Sequence, residues 1–188
     1  MKVYVRPIVA DDAPALLELR RRNQEFLRPW EPRGINPFPL TFEGIVASIE
    51  RAQIERDEDR RYTCGIFERD GDVLVGTVSL ANVSRGAFQN ATVGYFVDRD
   101  HNNKGYATEA VVLIVRIAFE QLGLHRVQAG VMPRNHASNR VMEKAGFRFE
   151  GYSPNYLQIN GVWEGHNMYA FTVEDDLDRT GERRERDT

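Results

Sequence analysis

The stretch of this chain best equipped for chemistry runs from Thr92 to Ala110. Val93-Gly94-Tyr95-Phe96-Val97 is rich in β-branched and aromatic residues and stops at Asp98-Arg99-Asp100, which predicts a short strand over Thr92–Val97 ending in a turn. A polar loop leads to Lys104, and Gly105-Tyr106-Ala107-Thr108 opens a helix. From Ala107 the apolar positions Ala107, Ala110, Val111, Ile114, Ala118 and Leu122 recur at steps of three and four, and Gly123 marks the end. The first N–H groups of such a helix lack carbonyl partners, and its dipole favours an anion there. Gly105 has no Cβ, so a pyrophosphate can approach the backbone closely. The same pattern also fits an ordinary tight connection. It is neither a Walker loop nor a Gly-x-Gly-x-x-Gly fingerprint.

Other residues of chemical interest lie downstream and upstream. Asn135 is a natural N-cap for a short helix that holds Ser138 one turn in, turns Val141 and Ala145 inward and stops at Gly146. Trp30 and Glu31 sit in a proline-dense loop from Arg28 to Pro39 that also contains Gly34 and Phe38. An aromatic in such a loop covers core as often as it touches a substrate. The sequence has no Ser-His-Asp signature, no Gly-x-Ser-x-Gly elbow and no metal-ligand spacing, and its four histidines read as structural.

The elements that must position these residues follow in order. Val3–Ile8 reads as a strand, and Asp11-Asp12-Ala13-Pro14 starts a helix that runs to about Glu25. Thr41 caps a second helix to about Arg56. Thr63–Glu68 and Val73–Ala81 are strands joined through Asp70-Gly71. Asn82–Asn90 is a connection carrying Arg85, which reads first as an exposed loop arginine and second as an acceptor or cofactor contact. Arg126–Val131 is a further strand. Tyr156–Ile159 and Val162–Thr172 form a hairpin about Asn160-Gly161, whose residues favour a type I′ turn.

Composition bounds the function. A chain of 188 residues with a net charge of −3 fits one domain and argues against a general nucleic-acid binder. One cysteine, Cys64, permits no internal disulfide. The longest strictly apolar run of the central helix, Ala110–Val115, is too short to cross a bilayer, and Lys2, Arg6 and Asp11 leave no signal-peptide core. The expectation is a soluble cytoplasmic protein, monomeric or homodimeric, with no membrane or direct nucleic-acid partner.

Asn102-Asn103-Lys104-Gly105-Tyr106-Ala107 resembles the acetyl-coenzyme A signature of the GNAT superfamily of N-acetyltransferases, Gln/Arg-x-x-Gly-x-Gly/Ala, with Asn102 in the first position. Leu124-His125-Arg126-Val127, Asn135-x-x-Ser138, Glu143-Lys144-x-Gly146-Phe147 and Glu150-Gly151 follow at the intervals of its RimJ/RimL branch, which acetylates ribosomal-protein N-termini. Phe26-Leu27-Arg28-Pro29-Trp30-Glu31-Pro32, Asn82-Val83-Ser84-Arg85-Gly86 and Tyr156-Leu157-Gln158-Ile159-Asn160-Gly161 are most similar to the RimJ type. The similarity spans Tyr4 to Tyr169.

The resemblance implies an α/β (α+β) GNAT fold: a single mixed, mostly antiparallel twisted sheet with splayed central strands and helices on both faces. It would occupy residues 1–174, followed by a charged, flexible tail over 175–188. It further implies an acetyl-CoA cosubstrate, no metal, and direct attack of an amine on the thioester. Phe96 and Val97 would offer backbone groups to the pantetheine and thioester. Asp98 and the stretch Asn103, Lys104, Gly105, Tyr106, Ala107 and Thr108 would hold the cofactor, and Asn135 and Ser138 would stand near the sulfur, with Ser138 as acid. Trp30, Glu31, Arg85 and Tyr156 are the acceptor candidates. Leu157 stands where some relatives carry a glutamate base, and Glu31 is a possible substitute. The implied acceptor is the α-amine of a ribosomal protein, probed against two alternatives: a small amine or antibiotic, and a CoA-binding or ribosome-assembly protein without turnover.

Overall fold

The computed structural model describes residues 1–32 and 37–180, so Gly34 of the proline-dense loop lies outside the described residues, as do 181–188 and the side chains of 177–180. The elements are β1 (Val3–Pro7), α1 (Ala13–Leu27), α2 (Phe42–Asp57), β2 (Tyr62–Glu68), β3 (Leu74–Ser84), β4 (Asn90–Val97), α3 (Tyr106–Arg116), β5 (Arg126–Val131), α4 (His136–Ala145), β6 (Arg148–Ile159), β7 (Val162–Thr172) and α5 (Val173–Thr180). α5 carries regular structure past residue 174, where the domain was expected to end.

Seven strands form one sheet in the order β1-β2-β3-β4-β5-β7-β6. Every neighbouring pair is antiparallel except β4 and β5. That parallel pair holds only from Asn90↔Arg126 to Thr92↔Gln128, although both strands continue. Beyond Thr92 the sheet splits, as expected of splayed central strands.

Alternation along each strand divides the core in two. Val78, Leu80, Val93, Val97, Val127 and Ala129 pack with α3 residues Val111 and Ile114 and with Met142 of α4. On the opposite face Phe67, Leu74 and Phe96 pack with Leu16 and Leu19 of α1 and Ile45 and Ile49 of α2. Burying side chains of this size contributes about 1.5–3 kcal/mol each, so the residues at the split are held from both faces.

Local signals place the element ends. Thr41 Oγ1 accepts from Gly44 N–H at 3.1 Å, and Gly146 takes a left-handed φ of 90° at the end of α4. Asn160 and Gly161 have φ of 52° and 87°, the signs a type I′ turn requires. The helix expected through Leu122 changes pitch: Ile117–Gln121 is a π-helical turn closed by Leu122 N–H on the Ile117 carbonyl. β6 begins at Arg148 rather than Tyr156; as an edge strand broken by register shifts it is mostly exposed and shows no apolar alternation.

Candidate functional site

The split sheet makes the site. Asp98 N–H donates to the Val75 carbonyl at 2.8 Å, so antiparallel alternation turns the backbone groups of Phe96 and Gly94 toward β3. Those of Tyr95 and Val97 face the other edge, from which β5 has departed. Val97 therefore turns its backbone groups to the gap. Phe96 is corrected: its backbone is turned to Thr77 of β3, and its ring lies on the α1/α2 face. Tyr95 is the strand's second backbone contributor to the gap, which the sequence reading overlooked.

Past β4, Asp98 is buried and holds the loop from inside. Its carboxylate accepts from Arg22 at 2.5 Å, from Asn23 Nδ2 at 2.9 Å and from His101 Nδ1 at 3.1 Å. Burial alone would raise its pKa, but hydrogen bonds from Arg22, Asn23 and His101 outweigh it and bring the value down to about 2. Asn23, fully buried on α1, also accepts from Arg99 N–H at 2.9 Å. Asp98 is thus the anchor of the loop, a correction to its expected side-chain contact with a cofactor, because both oxygens of its carboxylate accept hydrogen bonds within the protein.

The anchored loop ends at Gly105, the N-cap of α3, with φ of 87° and no side-chain cap on the helix. A Cβ there would meet no protein atom within 4 Å. The glycine is required for its left-handed backbone, and the space over it is open. Asn103 is also left-handed at φ 62°, so the loop curls its backbone about this opening. Ala107 and Thr108 lie in the first turn. Tyr106 turns its ring inward and donates to Glu68, leaving only its backbone at the opening. Lys104 is exposed, and Lys2 Nζ reaches its carbonyl at 3.2 Å, which sets a second ammonium beside the loop. Unpaired N–H groups, a helix dipole, two lysines and a glycine-lined opening fit a pyrophosphate.

Across the split, Asn135 Oδ1 accepts from Ser138 N–H at 3.1 Å and sets the first turn of α4. Ser138 Oγ lies 2.8 Å from Tyr95 Oη, so a hydroxyl pair bridges β4 and α4 at the gap. Burial pushes the Tyr95 phenol up to about 12, with the Ser138 hydrogen bond opposing the shift; the phenol keeps its proton at neutral pH. Between them the two hydroxyls hold two protons, one shared in the mutual bond and one available to a third atom.

On the α1/α2 face a cleft of about 470 Å³ is lined by Phe96, Glu31, Arg20, Thr77 and Ser79 among others. Both oxygens of Glu31 accept from Arg20, at 3.0 and 3.1 Å, and the Arg20 guanidinium lies 5.1 Å from the centre of the Phe96 ring. Glu31 is therefore a wall of the cleft whose oxygens are already occupied, which disfavours its use as a base. Trp30 stacks under the Arg134 guanidinium at 5.2 Å, and Arg134 pairs with Glu164 of β7 at 2.9 Å. Asn160 at the hairpin turn donates to the Arg28 carbonyl at 2.8 Å. The loop after α1 and the β6–β7 hairpin thus meet at the mouth of the split, and Tyr156 lies there over Gly130 of β5.

Arg85 does not belong to this constellation. It pairs with Asp59 at 2.6 Å and donates to the Leu122 carbonyl at 2.6 Å. That position is beside Asn90 at the start of β4, about 20 Å from Val97 at the usual rise per strand residue. Its expected acceptor role is corrected to a clamp between the ends of α2 and α3. The Leu157 side chain is 41% exposed on the hairpin.

Comparison with known proteins agrees with this geometry. The acetyltransferase (GNAT) domain family matches residues 2–148. The chain is 45% identical over 93% of its length, and 96% of the relative's, to a probable N-acetyltransferase, YjcK, of Bacillus subtilis. It is 29% identical over 93% of its length, and 89% of the relative's, to the ribosomal protein uS5-alanine N-acetyltransferase of Escherichia coli. Among solved structures, RimJ of Mycobacterium smegmatis in complex with CoA-disulfide superposes with a TM-score of 0.85 at 30% identity, over 95% of this chain and 89% of that one. The ribosomal-protein-S5-alanine acetyltransferase of Vibrio fischeri gives 0.84 at 31%, over 93% and 95%. With its split sheet, open helix N-terminus and matching sequence, this chain belongs to the GNAT acetyltransferase family.

Proposed function

We propose that the protein transfers the acetyl group of acetyl-CoA to the N-terminal α-amine of a protein in the cytoplasm, a ribosomal protein beginning with alanine. The observation that carries this reading is the mouth of the split, where the Trp30-Glu31 loop and the β6–β7 hairpin are tied together by Asn160 and Arg28. A mouth crossed by such a contact favours the end of an extended chain over its middle. The names of the relatives in Escherichia coli and Vibrio fischeri support the same acceptor class.

In this reading the backbone from Asn103 to Thr108 holds the pyrophosphate and the free edge of Val97 aligns the pantetheine. Backbone donors aimed at the thioester oxygen stabilise the charge that develops there. The amine nitrogen bonds to the carbonyl carbon, the C–S bond breaks, and the leaving sulfur takes its proton from the Ser138–Tyr95 pair. Trp30, Glu31 and Tyr156 line the acceptor path. An α-amine with a pKa of about 7.7–8.0 is about a tenth neutral at pH 7, whereas a lysine at about 10.4 is not, so a site without a carboxylate base favours the former.

The test is a panel of acceptors with acetyl-CoA, read by mass spectrometry: alanine-initiated ribosomal peptides, the same peptides blocked at the α-amine but carrying lysine, and small amines. Acetylation of the free α-amines alone supports the proposal. Product only from small amines, or binding of acetyl-CoA with no product, overturns it.

A further inference from the structure

The site described so far supplies a proton to the leaving sulfur and names no group to take one from the attacking nitrogen. On the far bank of the split, His166 of β7 is 3% exposed and its ring packs against Tyr156, with centroids 5.3 Å apart. It shares the α1/α2 face with Phe96. Thr92 and Gln128 are paired on that face; Phe96 lies four residues on from the first and Gly130 two on from the second, and His166 Cδ2 lies 3.6 Å from where a Gly130 Cβ would stand. Gly130 lies just beyond the last β4–β5 pair. The imidazole thus lies over β5, just past the start of the split, on the same face of the sheet as the Phe96 ring.

Its tautomer is fixed. Nδ1 lies 3.0 Å from the Glu164 carbonyl, which can only accept, so Nδ1 carries the hydrogen and the neutral ring leaves its lone pair on Nε2. Nε2 has no hydrogen-bond partner among the described residues. The sealed, unpartnered side-chain polar atoms among those residues are Arg22 Nε, Asn90 Oδ1 and Arg126 Nε, so Nε2 keeps a small opening to solvent within a ring that is otherwise buried. Burial lowers the imidazole pKa from its ordinary 6.5, against an opposing hydrogen bond and charge from Glu164. The groups that face the ring are the Tyr156 side chain from β6 and Glu164 on its own strand, whose carboxylate is paired with Arg134. Gly130 and Met168 bring no charge.

We infer that His166 is the general base of the transfer, its Nε2 receiving the proton of the attacking amine directly or through one water. As the N–C bond forms, the nitrogen becomes positive and gives one proton to Nε2; the C–S bond breaks and the sulfur takes one proton from the Ser138–Tyr95 pair. The histidine then returns its proton to solvent, and the hydroxyl pair regains one. The inference rests on the acetyl-transfer reading of this site, and supplies from β7 the base missing at Leu157.

The experiment compares His166→Gln with the wild-type protein, using acetyl-CoA and an alanine-initiated peptide from pH 5 to 9. The expected result is a loss of about 100-fold in kcat at pH 7, with unchanged KM for acetyl-CoA and unchanged Tm. The component of the wild-type acid limb with its midpoint below 6.5 disappears in the variant, while the component set by the acceptor α-amine stays. A kcat within threefold of wild type, or a loss that leaves the lower component in place, overturns the inference. If the variant does not fold, nitrogen NMR of the wild-type imidazole decides: an Nδ1–H tautomer titrating at the kinetic midpoint supports the base, and an Nε2–H tautomer overturns it. Should the wild-type protein acetylate no peptide α-amine, the acceptor reading fails separately, and the same comparison is run with whichever amine reacts.

Discussion

The two banks of the split are built by different means. The β4 bank is tied from beneath by a buried carboxylate, Asp98, with Arg22, Asn23 and His101 around it, and it presents backbone to the gap. The β5–β7–β6 bank presents side chains: Tyr156 and His166 on one face, with Leu157, Val162 and Trp163 exposed along the hairpin. At the mouth of the split it meets the loop after α1 through surface contacts, Arg134 with Trp30 and Asn160 with the Arg28 carbonyl. Backbone on a locked strand suits the part of a cosubstrate that never changes, and side chains on an edge hairpin suit an acceptor that differs among relatives. Exposed ion pairs are worth little in stability, whereas a buried hydrogen-bonded one cannot lose a partner cheaply.

The largest expected effect breaks the backbone bank. Gly105→Val forces a β-branched residue into φ of 87° and fills the open space over the loop. Affinity for acetyl-CoA by calorimetry should fall by about 100-fold, a strain of 1–3 kcal/mol plus lost approach; unchanged affinity would remove the pyrophosphate from this loop. Next, Tyr95→Phe should lower kcat by roughly 30-fold without raising KM for acetyl-CoA, and adding Ser138→Ala should cost less than the product of the single losses, because the hydroxyls act as a unit.

The anchor itself predicts a pH dependence. Asp98 is depressed to about 2 in the folded protein. Its stabilisation is therefore fully present above the ordinary carboxylate pKa near 3.9 and is lost as pH falls from there through about 2, a contribution of about 2 kcal/mol. Urea unfolding of Asp98→Asn should show this loss already at pH 7 and a flatter decline between pH 4 and 2; identical curves would dismiss the anchor. The smallest effect sharpens the boundary of the site. Arg85→Ala should leave kcat and KM unchanged and cost less than about 1 kcal/mol, while a tenfold loss of acceptor turnover would return it to the acceptor path.

What could be read from the sequence follows the same division. The strand, loop and helix around Gly105, the Asn135 cap and the Asn160-Gly161 turn are local events, each fixed by residues a few positions apart. The Tyr95–Ser138 pair, the Asn23–Asp98 bond and the Arg85–Asp59 clamp join residues far apart in the chain, and no spacing announces them. Asp98 looked like a turn residue because its partners come from α1. The place of His166 beside Tyr156 and over Gly130 comes from sheet register, which no local spacing announces. The first half of β6 was hidden for a simpler reason: an edge strand exposed on both faces carries no apolar period.

Helix α1 also has a consequence for the order of events. Within one turn it holds Glu31 in the cleft wall through Arg20 and the end of β4 through Arg22 and Asn23. One rigid rod is thus fastened to the walls of both binding regions. Any displacement of the rod that occupation of one region favours is transmitted to the other, and by thermodynamic reciprocity each ligand alters the affinity of its partner by the same factor.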